Sequence, residues 1–371
     1  MKRIAFYAPV KPPDHPIPSG DREISRLLIK AMQFAGHDVK VASKYIAYQK
    51  RPGAELFATR QAGGEEELEK LLRHYDSMPS EQKPEVWFTY HTYCKAPDYL
   101  GPKISSELNI PYVTAEACRT HQNNDTDWAS GREIVQASIR KAKRNFCLKP
   151  SDKDYLECVL NDHSCIVHLP PFVDEGLIQA NAAESEKLPF TNGYPVILAA
   201  GMMRPGKKTL CYQMLADALK LLENPNWNLV VVGDGPERAE IENWLSFIAP
   251  DRIFWAGLVS PKEVHGLMAN SDIFAWPGYK EPIGMVYLEA QTLSKPVAAM
   301  ASLGVPTVVE NEVSGLLSEE GNIPAYAKIL DRLIGDETLR KKLGAGGKAN
   351  IAEHHGIAAA ANLISREIGK L

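Results

Sequence analysis

The stretch Asp272–Ala290 holds the side chains whose types and spacing best suit chemistry; it reads DIFAWPGYKEPIGMVYLEA. Its pattern predicts a strand ending near Trp276, a loop carrying Glu281, and a helix beginning around Gly284. The first amides of such a helix have no intrahelical acceptors and favour an anion, and a glycine there lets a phosphate approach the backbone closely. Glu289 stands eight positions after Glu281, one to two turns into that helix. A carboxylate in this place can accept hydrogen bonds from vicinal hydroxyls, as an acidic residue does for ribose in dinucleotide-binding folds. Read alone, Glu289 fits an ordinary exposed glutamate equally well.

Such a strand–loop–helix unit needs a sheet to hold it, and the rest of the chain supplies the pattern. Short β-rich apolar runs alternate with segments of helical period, the signature of βαβ units and parallel sheets. Strands are expected at Ile4–Pro9, Val39–Ala42, Val86–Tyr90, Tyr112–Ala115 and Asn145–Leu148, with helices after Ser19-Gly20-Asp21, at Tyr99–Leu108 and at Arg132–Lys143. A polar stretch from Gln179 to Lys187 reads as a linker. The pattern then restarts with strands at Val196–Ala200, Asn228–Val232, Ile253–Ala256, Ile273–Trp276 and Val297–Met300. Helices are expected at Thr209–Leu222, Pro236–Phe247, Pro261–Met268, Gly284–Leu293 and Ile323–Ile334. The expected α/β architecture is two Rossmann-like, doubly wound lobes facing across a cleft. One covers residues 1–178 and the other 186–352, and ligands sit beyond the carboxyl ends of the strands.

Composition narrows the class. The 371 residues are 44% hydrophobic and 24% charged, which excludes full-length disorder, collagen-like and coiled-coil architectures. The longest apolar run, 195–203, is far short of the ~20 residues of a membrane-spanning helix, and the N-terminus reads as a first strand rather than a signal peptide. Six cysteines form no C-x-x-C pair and read as thiols of a reducing compartment. The expectation is a soluble cytoplasmic protein. A net charge of −4 argues against a general nucleic-acid binder. Residues 1–50, however, carry nine Lys/Arg against four acids, and a second basic cluster spans Arg140, Lys141, Lys143, Arg144 and Lys149. These read either as solvated helix faces or as a surface in peripheral contact with an anionic membrane on the inner side of the cell.

The E-x7-E spacing, its strand–loop–helix setting and the continuation into Lys295-Pro296-Val297 resemble glycosyltransferase family 4, retaining nucleotide-sugar enzymes of GT-B fold. Further matches are Val231–Arg238, Phe254–Val259, Gly304-Val305-Pro306 and Val309 with Asn311, Gly315, Leu316 and Leu317. The resemblance covers nearly the whole chain, strongly over 196–320 and weakly before 150. It implies that Glu281 orients the donor sugar and Glu289 the ribose, with Pro282, Ile283, Gly284, Met285 and Val286 against the donor. Leu258 would then lie in the segment lining the nucleobase pocket. Arg204 and Lys208 fall where the family places cations on the donor diphosphate, with Lys207 as the rival. The sequence departs from the commoner spelling, because Met202 stands where Arg usually follows Gly.

The resemblance also makes Ser19-Gly20, in the run Pro18–Asp21, the counterpart of a turn facing the diphosphate. Many members carry a histidine after the strand matching Tyr112–Ala115. Here that place is Glu116-Ala117-Cys118, which leaves His91 and Glu116 as acceptor-side candidates. Pro170–Asp174 matches the turn before the interdomain linker and reads as a hinge. The last helix, about residues 355–371, is expected to cross back onto the first lobe. No cofactor and no metal are expected. The implied activity is retaining hexosyl transfer from a nucleotide sugar, by expectation a UDP-sugar, to a lipid such as diacylglycerol, or to a saccharide or small metabolite. The rivals are a nucleotide-sugar epimerase of the same fold and a non-catalytic nucleotide-sugar-binding module.

Overall fold

The computed structural model describes the chain except for Pro18, residues 119–127 and residues 184–186. Pro18 of the expected turn and part of the expected linker therefore lie outside the described residues. The chain divides into one unit of Met1–Pro170 with Ile357–Leu371 and a second of Pro171–Gly356.

Buried apolar strands build the first unit's core. Phe6 of the first strand, Phe88 of the third and Phe146 of the fifth stack in series, with ring centroids 5.9 and 6.0 Å apart. The strands are β1 (Arg3–Tyr7), β2 (Asp38–Ser43), β3 (Val86–Tyr90), β4 (Tyr112–Ala115), β5 (Arg144–Cys147) and β6 (Ile166–His168). They form one parallel sheet in the order β2-β1-β3-β4-β5-β6. The helices are α1 (Gly20–Phe34), α2 (Ala54–Asp76), α3 (Gly101–Glu107), α4 (Ala129–Lys141) and α5 (Pro150–Val159). Strand order reverses between β1 and β3, so the loops leaving those two strands diverge and open a crevice at their carboxyl ends.

The second unit repeats the design. It contains α6 (Glu175–Ala182), β7 (Val196–Ala200), α7 (Lys207–Lys220), β8 (Asn228–Val232), α8 (Arg238–Trp244), β9 (Ile253–Gly257), α9 (Pro261–Ala269) and β10 (Ile273–Ala275). There follow α10 (Met285–Thr292), β11 (Val297–Ala301), β12 (Gly315–Glu319), α11 (Ile323–Gly335) and α12 (Glu337–Asn350). The parallel sheet runs β12-β11-β10-β7-β8-β9, with its switch between β7 and β10. The final helix, α13 (Ile357–Gly369), returns to the first unit and packs on α1, burying Ile357, Ala360, Ala361, Ile364 and Ile368.

Two expectations need correction. The stretch from Gln179 is not linker at its start, because α6 runs to Ala182 and lies against α9 and α10. The first unit accordingly ends at Pro170 rather than 178, and the second extends back to Pro171 and on to Gly356. The Pro170–Asp174 turn stands at this division, and the Asp174 side chain caps α6 by accepting from the Leu177 amide at 3.2 Å.

Candidate active site

The second unit places its candidates at its own switch point. Lys208 enters from the first turn of α7, after β7, and Glu281 from the loop after β10. Lys208 Nζ donates to Glu281 Oε2 at 2.9 Å and lies 5.5 Å from the centroid of the Trp276 ring. Trp276 is fully buried and packs beneath Gly201, where a Cβ would come within 2.6 Å of its ring. Tyr287 donates to the Trp276 carbonyl at 3.1 Å, tying α10 to the end of β10. The Glu281 loop is held at both ends: the Gly304 amide donates to the Glu281 carbonyl at 3.0 Å, and the Lys280 amide donates to Ser302 Oγ at 2.8 Å. Lys207 reaches only the Lys280 carbonyl, at 3.4 Å.

Gly284 is the N-cap of α10 and adopts φ +81°, a left-handed conformation. A Cβ there would stand 2.6 Å from the Tyr287 ring, so only glycine fits this helix start. No side chain caps this helix start, which leaves amides of the first turn of α10 able to meet an anion. Glu289 follows on the same helix, with His265 Nε2 of α9 at 3.7 Å from its Oε2. Arg204 is exposed, and no ion pair holds it among the described residues. Its carbonyl accepts from Thr209 Oγ1 at 2.5 Å, which fixes the loop rather than the guanidinium. Leu258 is 83% exposed. The structure thus brings Lys208 and Glu281 together and leaves Arg204 and Leu258 without a partner in the same cluster.

The first unit builds a different site at its switch point. Ser19 caps α1, accepting from the Arg22 amide at 3.3 Å, and Gly20 starts the helix. The next residue, Asp21, meets His91 Nδ1 at 2.9 Å from the end of β3. His91 and Glu116 both hold left-handed backbone, φ +57° and +55°. Such conformations are costly for non-glycine residues and cluster at functional sites. The two are neighbours across the ladder, since the His91 amide donates to the Ala115 carbonyl at 2.8 Å.

Glu116 is buried, accepts from Tyr90 Oη at 3.0 Å and is paired with Lys149. Lys149 also faces Asp152 Oδ1 at 3.6 Å. Burial opposes charge on both His91 and Glu116. On His91, the charges of Glu116 and Cys118 and the Asp21 hydrogen bond outweigh that and hold the imidazolium well above its usual range. On Glu116, the charges of His91 and Lys149 outweigh it and hold the carboxylate below its usual range. Asp152 goes the other way: burial, reinforced by Glu116 and opposed by Lys149, pushes it up to about 7.

Lys149 corrects an expectation. It is not part of a solvated basic face but lies half-buried between two carboxylates. Arg144 likewise pairs with Glu367 of α13 at 3.1 Å. Sequence reasoning missed Lys149, Asp152 and the Asp21 side chain as site members. The usable signal was position, because each stands just past a strand or at the helix start that follows one.

Comparison with known proteins bears first on the second unit. Residues 181–350 match the family described as glycosyl transferases group 1. That match takes in slightly less than half of the chain. An uncharacterized glycosyltransferase of Methanocaldococcus jannaschii is 26% identical over 253 residues, covering 67% of this chain and 66% of that protein. A GDP-mannose-dependent monoacylated phosphatidylinositol monomannoside mannosyltransferase of Corynebacterium glutamicum is 28% identical over 203 residues, 51% of this chain and 52% of the other. These matches span between half and two thirds of the relatives' own lengths. The Anabaena protein HepE, solved with UDP, is 16% identical with a TM-score of 0.70, and all of both chains is covered. That likeness is one of fold, and the fold is GT-B.

Proposed function

We propose that the protein transfers a sugar from a nucleoside diphosphate donor, a UDP-sugar, to a hydroxyl-bearing acceptor with retention at the anomeric carbon. What carries this reading is the Lys208–Glu281 pair at the β7/β10 switch point, beside a glycine-started helix that also bears Glu289. A UDP donor is supported by the HepE complexes with UDP and UDP-glucose, proteins of the same fold. The C. glutamicum relative makes a GDP donor the one to test beside it.

In this reading Lys208 and Arg204 hold the diphosphate, whose charge grows as its bond to the sugar breaks, and the amides of α10 assist. Glu281 orients the donor sugar and Glu289 the ribose. The bond from the anomeric carbon to the β-phosphate oxygen breaks, and the acceptor oxygen bonds to that carbon on the same face. The acceptor proton passes to the leaving phosphate oxygen, so the step needs no protein base. His91 and Glu116 stand on the acceptor side.

The basic excess of residues 1–50 was the ground for a lipid acceptor. In the fold Lys2, Arg3, Arg22, Arg26, Lys40 and Lys44 each reach an acidic partner, so we place a saccharide or polyol hydroxyl ahead of a lipid. No described helix is long and apolar enough to cross a membrane.

The test is incubation with UDP-glucose, UDP-galactose and GDP-mannose, alone and with saccharide and lipid acceptors, reading released nucleoside diphosphate and product stereochemistry. Slow donor hydrolysis, accelerated by an acceptor and giving a retained linkage, is the expected result. Epimerised nucleotide sugar without transfer, or binding without turnover, would replace this reading with an epimerase or a non-catalytic module.

A further inference from the structure

Behind Glu289 a line of side chains reaches back to the first helix of the second unit. Asn181 of α6 places its amide Nδ2 3.1 Å from His265 Nδ1, and His265 Nε2 lies 3.7 Å from Glu289 Oε2. With Asn181 Nδ2 as the donor, His265 Nδ1 accepts, and Nε2 is the ring nitrogen that faces Glu289. His265 is 7% exposed and Glu289 keeps a wet side chain, 29% exposed. A buried donor therefore stands behind one carboxylate oxygen, while the rest of the group is open to a ligand. The setting is fixed from three helices, since α6 packs on both α9 and α10. A lone carboxylate on a helix would sample several rotamers, and a second donor narrows them at the entropic cost of ordering only that one side chain.

We infer that His265 and Asn181 are positioning residues for the Glu289 carboxylate, setting the selectivity of the donor site for an unmodified ribose. This rests on the ribose reading of Glu289. It assigns a task to a segment whose sequence reads as a linker, and it makes α6 part of the nucleotide site without touching the nucleotide.

The experiment is a calorimetric titration of the full chain with UDP, with GDP, and with the 2′,3′-dideoxy form of whichever binds. The wild type should bind the dideoxy nucleotide more weakly, on the order of tenfold, the loss of one to two hydrogen bonds to a charged group. Glu289→Ala should erase that discrimination. His265→Ala and Asn181→Ala should reduce it, and His265→Gln, whose amide N–H can stand where Nε2–H stands, should restore much of it. In the Glu289→Ala background, His265→Ala should change nothing further.

A merely structural histidine would weaken both nucleotides equally and leave the ratio intact; that result overturns the positioning role alone. Full discrimination in Glu289→Ala would instead overturn the ribose reading, and the proposal with it. If His265→Ala fails to fold, Asn181→Ala decides, since its half-buried side chain can be removed without opening the core.

Discussion

At the scale of single residues, charge decides what each candidate can do. Lys208 is engaged with Glu281 at 2.9 Å, yet both remain partly open to water, so a diphosphate can replace the carboxylate as the partner of the cation. Lys208→Ala and Arg204→Ala should each lower kcat/KM for transfer on the order of 10²-fold, as when a stabiliser of developing charge is lost. Lys207→Ala should change it little. Steady-state kinetics with the active donor checks this. A large effect at Lys207 with none at Lys208 would move the diphosphate cation by one residue.

Asp152 gives a second prediction at this scale. The ordinary carboxyl pKa is 3.8, and burial raises it in the fold to about 7. Between those values the folded state holds a proton that the unfolded chain has released, so stability falls as pH rises through the window and the loss is complete above it. Asp152→Asn removes the titration while keeping the shape. Its stability gain over the wild type should therefore be small at pH 4, and larger by roughly 1–3 kcal/mol at pH 8. Urea unfolding at the two pH values measures it; a gain that shrinks with rising pH contradicts the sign.

At the scale of elements, what the sequence makes legible follows from the physics of each segment. Strands buried on both faces read as apolar runs, and β7 and β8 stand at the residues expected, Val196–Ala200 and Asn228–Val232. Helix α12 was not legible, because its glycines look like breakers. In the fold they are points of contact: a Cβ on Gly344 or Gly346 would fall about 2 Å from the Ser294 or Val313 carbonyl. Helix α2 is similar, since Gly64 packs against Tyr99, and only Gly64, Leu68, Leu71 and Tyr75 are buried, too few for a clear stripe. Edge strands β6 and β12 were missed for brevity and mixed composition. The spacing singles out Glu281 and Glu289 as candidates, whereas Asn181 and His265 lie far apart in the chain and meet only by helix packing.

Helix α13 yields the prediction that belongs here. It buries apolar side chains on α1, Ser365 meets His37 at 3.1 Å, and Glu367 pairs with Arg144 and Lys370. The expected apolar face was Ala358, Ala361, Leu363 and Ile364. The buried face includes Ala361 and Ile364 but turns toward Ile357, Ala360 and Ile368, with Ala358 and Leu363 only half-buried. Burying an isoleucine side chain contributes about 1.5–3 kcal/mol. Ending the chain at Gly356 should therefore destabilise the first unit by several kcal/mol and leave the second intact. Limited proteolysis should cut the truncated protein within residues 1–170 first. Preferential cleavage within 171–356 would argue that α13 supports the wrong unit.

At the scale of the whole molecule, each unit has its own sheet, its own switch point and its own charged cluster, so a ligand reports its address through the unit it stabilises. A nucleotide that binds the folded second unit but not its unfolded chain adds RT ln(1 + [L]/Kd), about 2.7 kcal/mol at a hundredfold excess over Kd. Scanning calorimetry should resolve two transitions, and UDP should raise the one belonging to residues 171–356. Glu289→Ala should shrink that shift. Cleavage patterns taken during the scan identify which unit melts at each step. If UDP raises only this transition, Lys208, Glu289 and the α10 amides account for the binding. If it raises both equally, the shift does not single out the second unit, and the assignment of the nucleotide to that unit fails. A shift confined to the first unit would place the nucleotide at the Asp21–His91–Glu116 cluster and reverse the assignment of donor and acceptor sides.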